Sequence, residues 1–265
     1  MNSISNSAAG PDSAGSGLPE QSPSAPASGP SEAARLVNTF VAPSKTFGDL
    51  RRNASWWGPF IVMAVFSVVF IYLVGQKVGF YQVVENQNQL SARAAQRMDS
   101  MSPAQRENTI HLQATITRGI AYGFPALILI WDLIVALVLF GTFRVAGASD
   151  LTFKASFAVV LYAGLPQVIR TLLSIVSLFA GIDPASFSLQ NPVATNPGYF
   201  LDPRNSHFLY SLCSSLDIFM IWTLILTAIG LSCVSKLKRS TAFFGVFGWF
   251  IVLIVASAVL SAAFS

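Results

Sequence analysis

The chain reads as an all-α polytopic membrane helix bundle with five transmembrane helices and a disordered N-terminal tail. Two observations predict this. Five apolar runs follow residue 55, each about as long as the ~20 residues a helix needs to cross a bilayer: Trp57 to Val74, Gly123 to Val145, Phe153 to Ala180, Phe208 to Val234 and Ala242 to Phe264. The composition, 53% hydrophobic and only 11% charged over 265 residues, is too apolar for an ordinary soluble domain. With flanking turns the spans are placed at about 57–75, 120–146, 153–180, 208–234 and 242–264. They are helices rather than strands, because within lipid each span must satisfy its own backbone polar groups.

Residues 1–34 are Ser, Ala, Gly and Pro with Asp12, Glu20 and Glu32 and no basic residue. Such a segment cannot bury enough apolar surface to order itself. Residues 35–57 are predicted to hold a short interfacial helix: Thr46 and Asp49 have near capping-box spacing, Phe47 and Leu50 form an apolar face towards the bilayer, and Arg51 and Arg52 lie opposite. Trp56 and Trp57 then stand where an aromatic belt belongs. In the long connection from Gly75 to Gly119, Ser102-Pro103-Ala104-Gln105 marks a helix start at Pro103. The connection from Gly181 to His207 holds Asp183-Pro184, Asn191-Pro192, Asn196-Pro197 and Asp202-Pro203, four turn-forming pairs that predict irregular structure.

Three ionisable residues fall within the spans: Asp132 in the second, Arg170 in the third and Asp217 in the fourth. An isolated charge at such depth costs several kcal/mol, so a mutual pair, a relay or a head-group site is expected of them. Arg170 with Asp217 is the favoured pair. In the third span Pro166 cannot donate a backbone hydrogen bond, which frees the carbonyl of Tyr162 and predicts a kink.

Other chemistry finds no support in the residues. No phosphate-binding loop, zinc-protease motif or nucleophile elbow occurs, so no catalytic residue, cofactor or metal is predicted. The two histidines, His111 and His207, lie in different loops, and Cys213 and Cys233 fall about 30 Å apart on a continuous helix, too far to bridge. The net charge of +4 reflects basic residues beside helix ends, not a nucleic-acid surface. No small-molecule substrate is indicated; the expected partners are the lipid bilayer and other membrane proteins or a second copy.

WWGPF at Trp56 to Phe60, YAGLP at Tyr162 to Pro166 and SLDIFMIWTLILTAIGLS at Ser215 to Ser232 together resemble the bacterial branch of the Yip-domain family, multi-pass membrane proteins that interact with Ypt and Rab GTPases. The resemblance covers about residues 36–264. It implies a non-enzymatic bundle serving as a scaffold or adaptor in membrane organisation, since eukaryotic relatives are linked to vesicle budding and fusion. Two departures separate this chain from the eukaryotic pattern. Ser55-Trp56-Trp57-Gly58-Pro59 stands for Asp-Leu-Tyr-Gly-Pro, and Leu161 stands for a glycine before the tyrosine of the third span. The acidic surface associated with GTPase binding therefore does not carry over. The competing class is a small transporter or channel using Asp132, Arg170 and Asp217.

Basic residues set the expected orientation. Arg35, Lys45, Arg51, Arg52, Arg144, Lys154, Lys236, Lys238 and Arg239 flank the N-terminus and the even connections, against Arg204 in the Pro-rich loop. The N-terminus is predicted on the cytoplasmic side of a cell membrane, a bacterial inner membrane, although the first connection carries five basic residues of its own. In a variant lacking Cys213 and Cys233, a cysteine at Asn196 should label with an impermeant reagent from outside intact cells. One at Lys238 should not, and labelling there would reverse the topology.

Overall fold

A computed structural model describes residues 30–264. The expected tail lies outside these residues except at its end, where the prediction is corrected. Glu32 to Ala34 are helical, because the Ser31 hydroxyl accepts the Ala34 amide at 3.2 Å and caps α1 (Glu32–Val41). Among the described residues the regular structure is entirely helical. It continues through α2 (Pro43–Leu50), α3 (Trp57–Lys77), α4 (Phe80–Gln89), α5 (Ala92–Asp99), α6 (Pro103–Tyr122) and α7 (Phe124–Val145). There follow α8 (Phe153–Ala163), α9 (Pro166–Phe179), α10 (His207–Ser215), α11 (Ile218–Val234) and α12 (Arg239–Phe264).

Four segments are long and apolar enough to cross a membrane, namely α3, α7, α8 with α9, and α12. The fourth expected span is not one helix. It is the pair α10 and α11, bent by 52° at Leu216 and Asp217, and counting that pair gives five spans. The cause is Asp217, whose carboxylate accepts the amides of Phe219 at 2.9 Å and Met220 at 3.3 Å and so begins a new helix within the apolar run.

The third span also divides. The Leu165 amide turns back to the Tyr162 carbonyl at 3.2 Å, and Pro166 opens α9 at its first position. α8 is the central helix, with every residue from Ala155 to Ala163 buried. It is packed by α1, α2, α3, α7 and α11. A helix apolar on all sides belongs in such a place.

Between the first two spans lies a helical layer. α6 starts at Ser102 with a reciprocal capping box to Gln105, and its buried Ile110 and Ala114 pack against Val84 of α4 and Met98 of α5. It ends at Gly123, so the second span begins at Phe124 rather than near residue 120. The Pro-rich connection is irregular apart from 3-10 turns at Pro184–Ser186 and Pro197–Phe200.

The interfacial-helix expectation is corrected most. α2 begins at Pro43, and Phe47 and Leu50 are fully buried in the bundle core rather than facing the bilayer. α1 and α2 form a hairpin lying along α11: Phe40 meets the Trp222 ring edge-on at 5.7 Å, while Phe47 lies against Gly230. Those two α11 positions are about 12 Å apart at helical rise, so the hairpin follows the helix for two turns. Gly230 is required there, since a Cβ would stand 2.5 Å from Val159 and 3.0 Å from the Phe47 ring.

Arg51 and Arg52 follow α2 and are exposed. Arg51 pairs with Asp150 at 3.1 Å, and Asp150 also accepts the Lys236 amide at 3.2 Å. The end of the hairpin, the α7–α8 connection and the α11–α12 connection thus meet at one end of the bundle. Trp56 and Trp57 stack at 3.9 Å, Trp57 outward and Trp56 inward on Phe157.

Gly230→Ala should lower stability in detergent by about 1–3 kcal/mol through overpacking against Val159 and Phe47. Gly48→Ala, on the same hairpin with nothing within 4 Å of its Cβ, should be neutral or stabilising by up to about 1 kcal/mol. Chemical unfolding of the two variants, followed by circular dichroism, checks the opposite signs.

Candidate functional site

Two ion-paired polar nodes are buried in the bundle. The first joins the N-terminal hairpin to α3 and α8. Arg35 is 3% exposed. Its Nη2 lies 2.6 Å from Asp49 Oδ2 and its Nη1 3.3 Å from Glu32 Oε1. Its Nη1 also reaches the Asn53 carbonyl at 3.5 Å, and its Nε finds no acceptor. The Asp49 contact rests on charge and proximity rather than hydrogen-bond alignment. The Arg35 carbonyl takes hydroxyl hydrogen bonds from Thr39 at 2.9 Å and Thr46 at 3.2 Å. Thr46 therefore links the two helices of the hairpin instead of capping one.

Glu32 extends this node into the bundle. The hydroxyl of Tyr162, a fully buried residue, donates to Glu32 Oε2 at 2.7 Å. Gly58 makes the approach possible, because a Cβ there would lie 2.8 Å from that same oxygen. Burial pushes the Glu32 carboxyl up, but hydrogen bonds from Ser55 and Tyr162 and the charge of Arg35 outweigh it and hold its pKa below the ordinary value.

The second node sits at the break in the fourth span. Arg170 Nε is 3.3 Å from Asp217 Oδ2, and the Thr195 hydroxyl donates to that same oxygen. The Ile218 amide donates to the Thr195 carbonyl at 3.1 Å, so the Pro-rich connection closes over the break. Behind Thr195, buried Asn191 and Asn196 exchange amide hydrogen bonds at 2.8 and 3.2 Å, and Asn196 Oδ1 accepts the Tyr199 amide at 3.0 Å. Asn196 is thus closed to a reagent, and the outward-facing cysteine of the topology test belongs at exposed Asn205 of the same connection. On the neighbouring turn of α9, Gln167 reaches Thr223 at 3.4 Å.

The structure thus brings Arg170 and Asp217 together and leaves Asp132 apart. Asp132 is half-buried on α7 and makes no ion pair or hydrogen bond with the described residues. The expected three-residue cluster is corrected to a pair, since Asp217 sits at a helix N-cap facing α9. Tyr162 belongs to the other node, and Pro166 starts α9 between the two. Among the described residues no three His, Cys, Asp or Glu side chains converge as metal ligands.

From the sequence Glu32 reads only as a tail residue, Arg35 as a topology charge and Asp49 as a cap partner of Thr46, while Thr195 carries no signal of its own. Glu32 and Arg35 share a helix face at a three-residue spacing, and an Asp within an apolar run is a helix-start signal. These were the available clues.

The joining of Gly58 to Tyr162 through Glu32 places the WWGPF and YAGLP segments in one contact, and the Yip1 domain family matches residues 37–260. The chain belongs to the Yip1 domain family. Membrane protein YknW of Bacillus subtilis (strain 168) is 21% identical over 225 residues, covering 84% of this chain and 87% of that protein. No solved structure matches. This Yip1-domain protein is thus a multi-pass helical membrane protein with its two nodes on either side of Pro166.

Removing Arg170 should leave Asp217 with a buried charge still partly satisfied by Thr195 and the α11 amides. Arg170→Gln should therefore cost about 1–3 kcal/mol, because Arg170 is itself partly open to its surroundings. A double-mutant cycle with Asp217→Asn should give a coupling of about 0.5–3 kcal/mol, whereas the cycle with Asp132→Asn should give less than about 0.5 kcal/mol.

Proposed function

We propose that this protein is a non-enzymatic scaffold or adaptor, held in a bacterial inner membrane with its N-terminus in the cytoplasm, that binds other membrane proteins. The observation that carries this reading is how its buried charges are used. Arg35 is matched by Asp49 and Glu32, and Asp217 divides its oxygens between Arg170, Thr195 and the start of α11. Charges committed to structure in this way are poor carriers for an ion. Two clefts that share Met98, Asp99 and Arg106 lie in the α4–α6 layer, away from both nodes. Neither node holds a nucleophile with a base and an orienting group.

One observation favours a second reading, a small transporter. A span broken at an acidic residue and covered by irregular backbone is a device transporters use to form a binding site. Asp132, unpaired on α7, would be available to it.

The two readings part on reconstitution. As a scaffold, the purified protein in sealed vesicles should not dissipate an imposed proton or potassium gradient. Crosslinking in intact membranes should recover a defined set of membrane proteins that remain associated in mild detergent. A gradient leak removed by Asp132→Asn or Arg170→Gln would overturn the scaffold reading in favour of transport.

A further inference from the structure

The guanidinium of Arg170 is only partly used inside the bundle. Its Nε faces Asp217, whose two oxygens are already shared with the Thr195 hydroxyl and the Phe219 and Met220 amides. Its two terminal nitrogens make no hydrogen bond among the described residues, and unlike Nε they are not enclosed. The N–H donors of that open edge, four in a planar fork, are therefore left over. Arg170 stands at a seam of α9, since Leu173, three residues on, is exposed while Ser174 beside it is buried. Exposed Leu216 and Ile218 stand on either side of Asp217 in the chain, so the surface around the pair is apolar. Arg170 has no second ion pair among the described residues.

Two helices give the depth of this edge independently. Arg170 lies 17 positions beyond Phe153 at the start of α8, and Asp217 lies 17 positions before Val234 at the end of α11. Those two helix ends share a level, because Asp150 beside α8 accepts the Lys236 amide beside α11. At helical rise the pair is about 25 Å from that end of the bundle. The hydrocarbon is about 30 Å thick, so the far boundary is about 5 Å beyond Arg170, within reach of its side chain. From the open fork, its depth and its apolar surround we infer that Arg170 holds a phosphate group, that of a phospholipid in the leaflet at the α9–α10 end of the bundle. A guanidinium fork matches phosphate oxygens two at a time. Leu173, Leu216 and Ile218 are placed to meet the first carbons of the acyl chains. Asp217 is then the buried counterpart that fixes the guanidinium, and the lipid is the outer one.

The test takes the full chain, purified in mild detergent and stripped of lipid, and follows its thermal unfolding by circular dichroism. Dioleoyl phosphatidylglycerol should raise the unfolding midpoint by several degrees and saturate, since a ligand bound only by the folded state stabilises it. Dioleoylglycerol, with the same acyl chains and no phosphate, should not. Arg170→Gln should lose most of the phosphatidylglycerol shift, and Asp132→Asn should keep it. A second measurement needs no variant. Phosphatidylglycerol with a diazirine on the first carbons of one acyl chain should crosslink to Leu173, Leu216 or Ile218 several-fold more than to exposed Leu127 of α7, which lies at a similar depth. An equal shift in Arg170→Gln or with dioleoylglycerol would overturn the inference, as would crosslinking no weaker at Leu127. Inorganic phosphate producing the whole shift by itself would assign the fork to a free anion and overturn the lipid.

Discussion

The guanidinium of Arg35 is the charge around which the α1–α2 hairpin of this protein is arranged. An arginine buried at 3% exposure would cost several kcal/mol unpaired, so its neighbours have to come to it. Asp49 is brought from α2, which closes the hairpin. Glu32 is brought from the start of α1, and Glu32 in turn is held by Tyr162 of α8 beside Gly58 of α3. Docking of the hairpin and matching of the charge are thus one event. Phe47 and Leu50 supply apolar burial, while the ion pairs fix where the hairpin sits. That division is physically expected, since burial is non-directional and buried charges tolerate few geometries.

The second node follows the same logic from the other side of Pro166. Asp217 would be a liability in the middle of a continuous span, and the chain removes the liability by ending one helix before it and starting another after it. Breaking the helix frees backbone groups that lipid cannot satisfy. Thr195 answers both needs, accepting the Ile218 amide and donating its hydroxyl to Asp217. The proline-rich connection is therefore part of the bundle's polar accounting rather than a tether between spans.

Period and length made the architecture legible in the sequence, because α3, α7 and α12 are set by the bilayer itself. The start of α6 was equally legible, since a capping box is local chemistry. The Arg170–Asp217 pair could be read from the cost of charge in lipid. What escaped was decided by tertiary contact. Phe47 and Leu50 present the same amphipathic pattern to a bilayer or to a groove, and only Gly230, 180 positions later, selects the groove. The Asp217 break was hidden because hydropathy averages over a single polar residue. Asp132 was grouped with the others by depth, but depth says nothing about the direction in which a side chain points.

The departures from the eukaryotic pattern acquire a physical sense at the first node. Where that pattern has an aspartate this chain has Ser55, whose hydroxyl helps hold the Glu32 carboxyl in its charged form. An aspartate in its place would set a second carboxylate beside Glu32, and two such groups in one partly buried site oppose each other's ionisation. Arg35 takes its acids from α1 and α2, so position 55 is left to a neutral hydroxyl beside Glu32. Gly58, shared with the pattern, is required in this chain because the Glu32 carboxylate approaches the backbone there. In this chain the glycine-lined contact is therefore filled by a carboxylate from α1, held there by Tyr162 of α8.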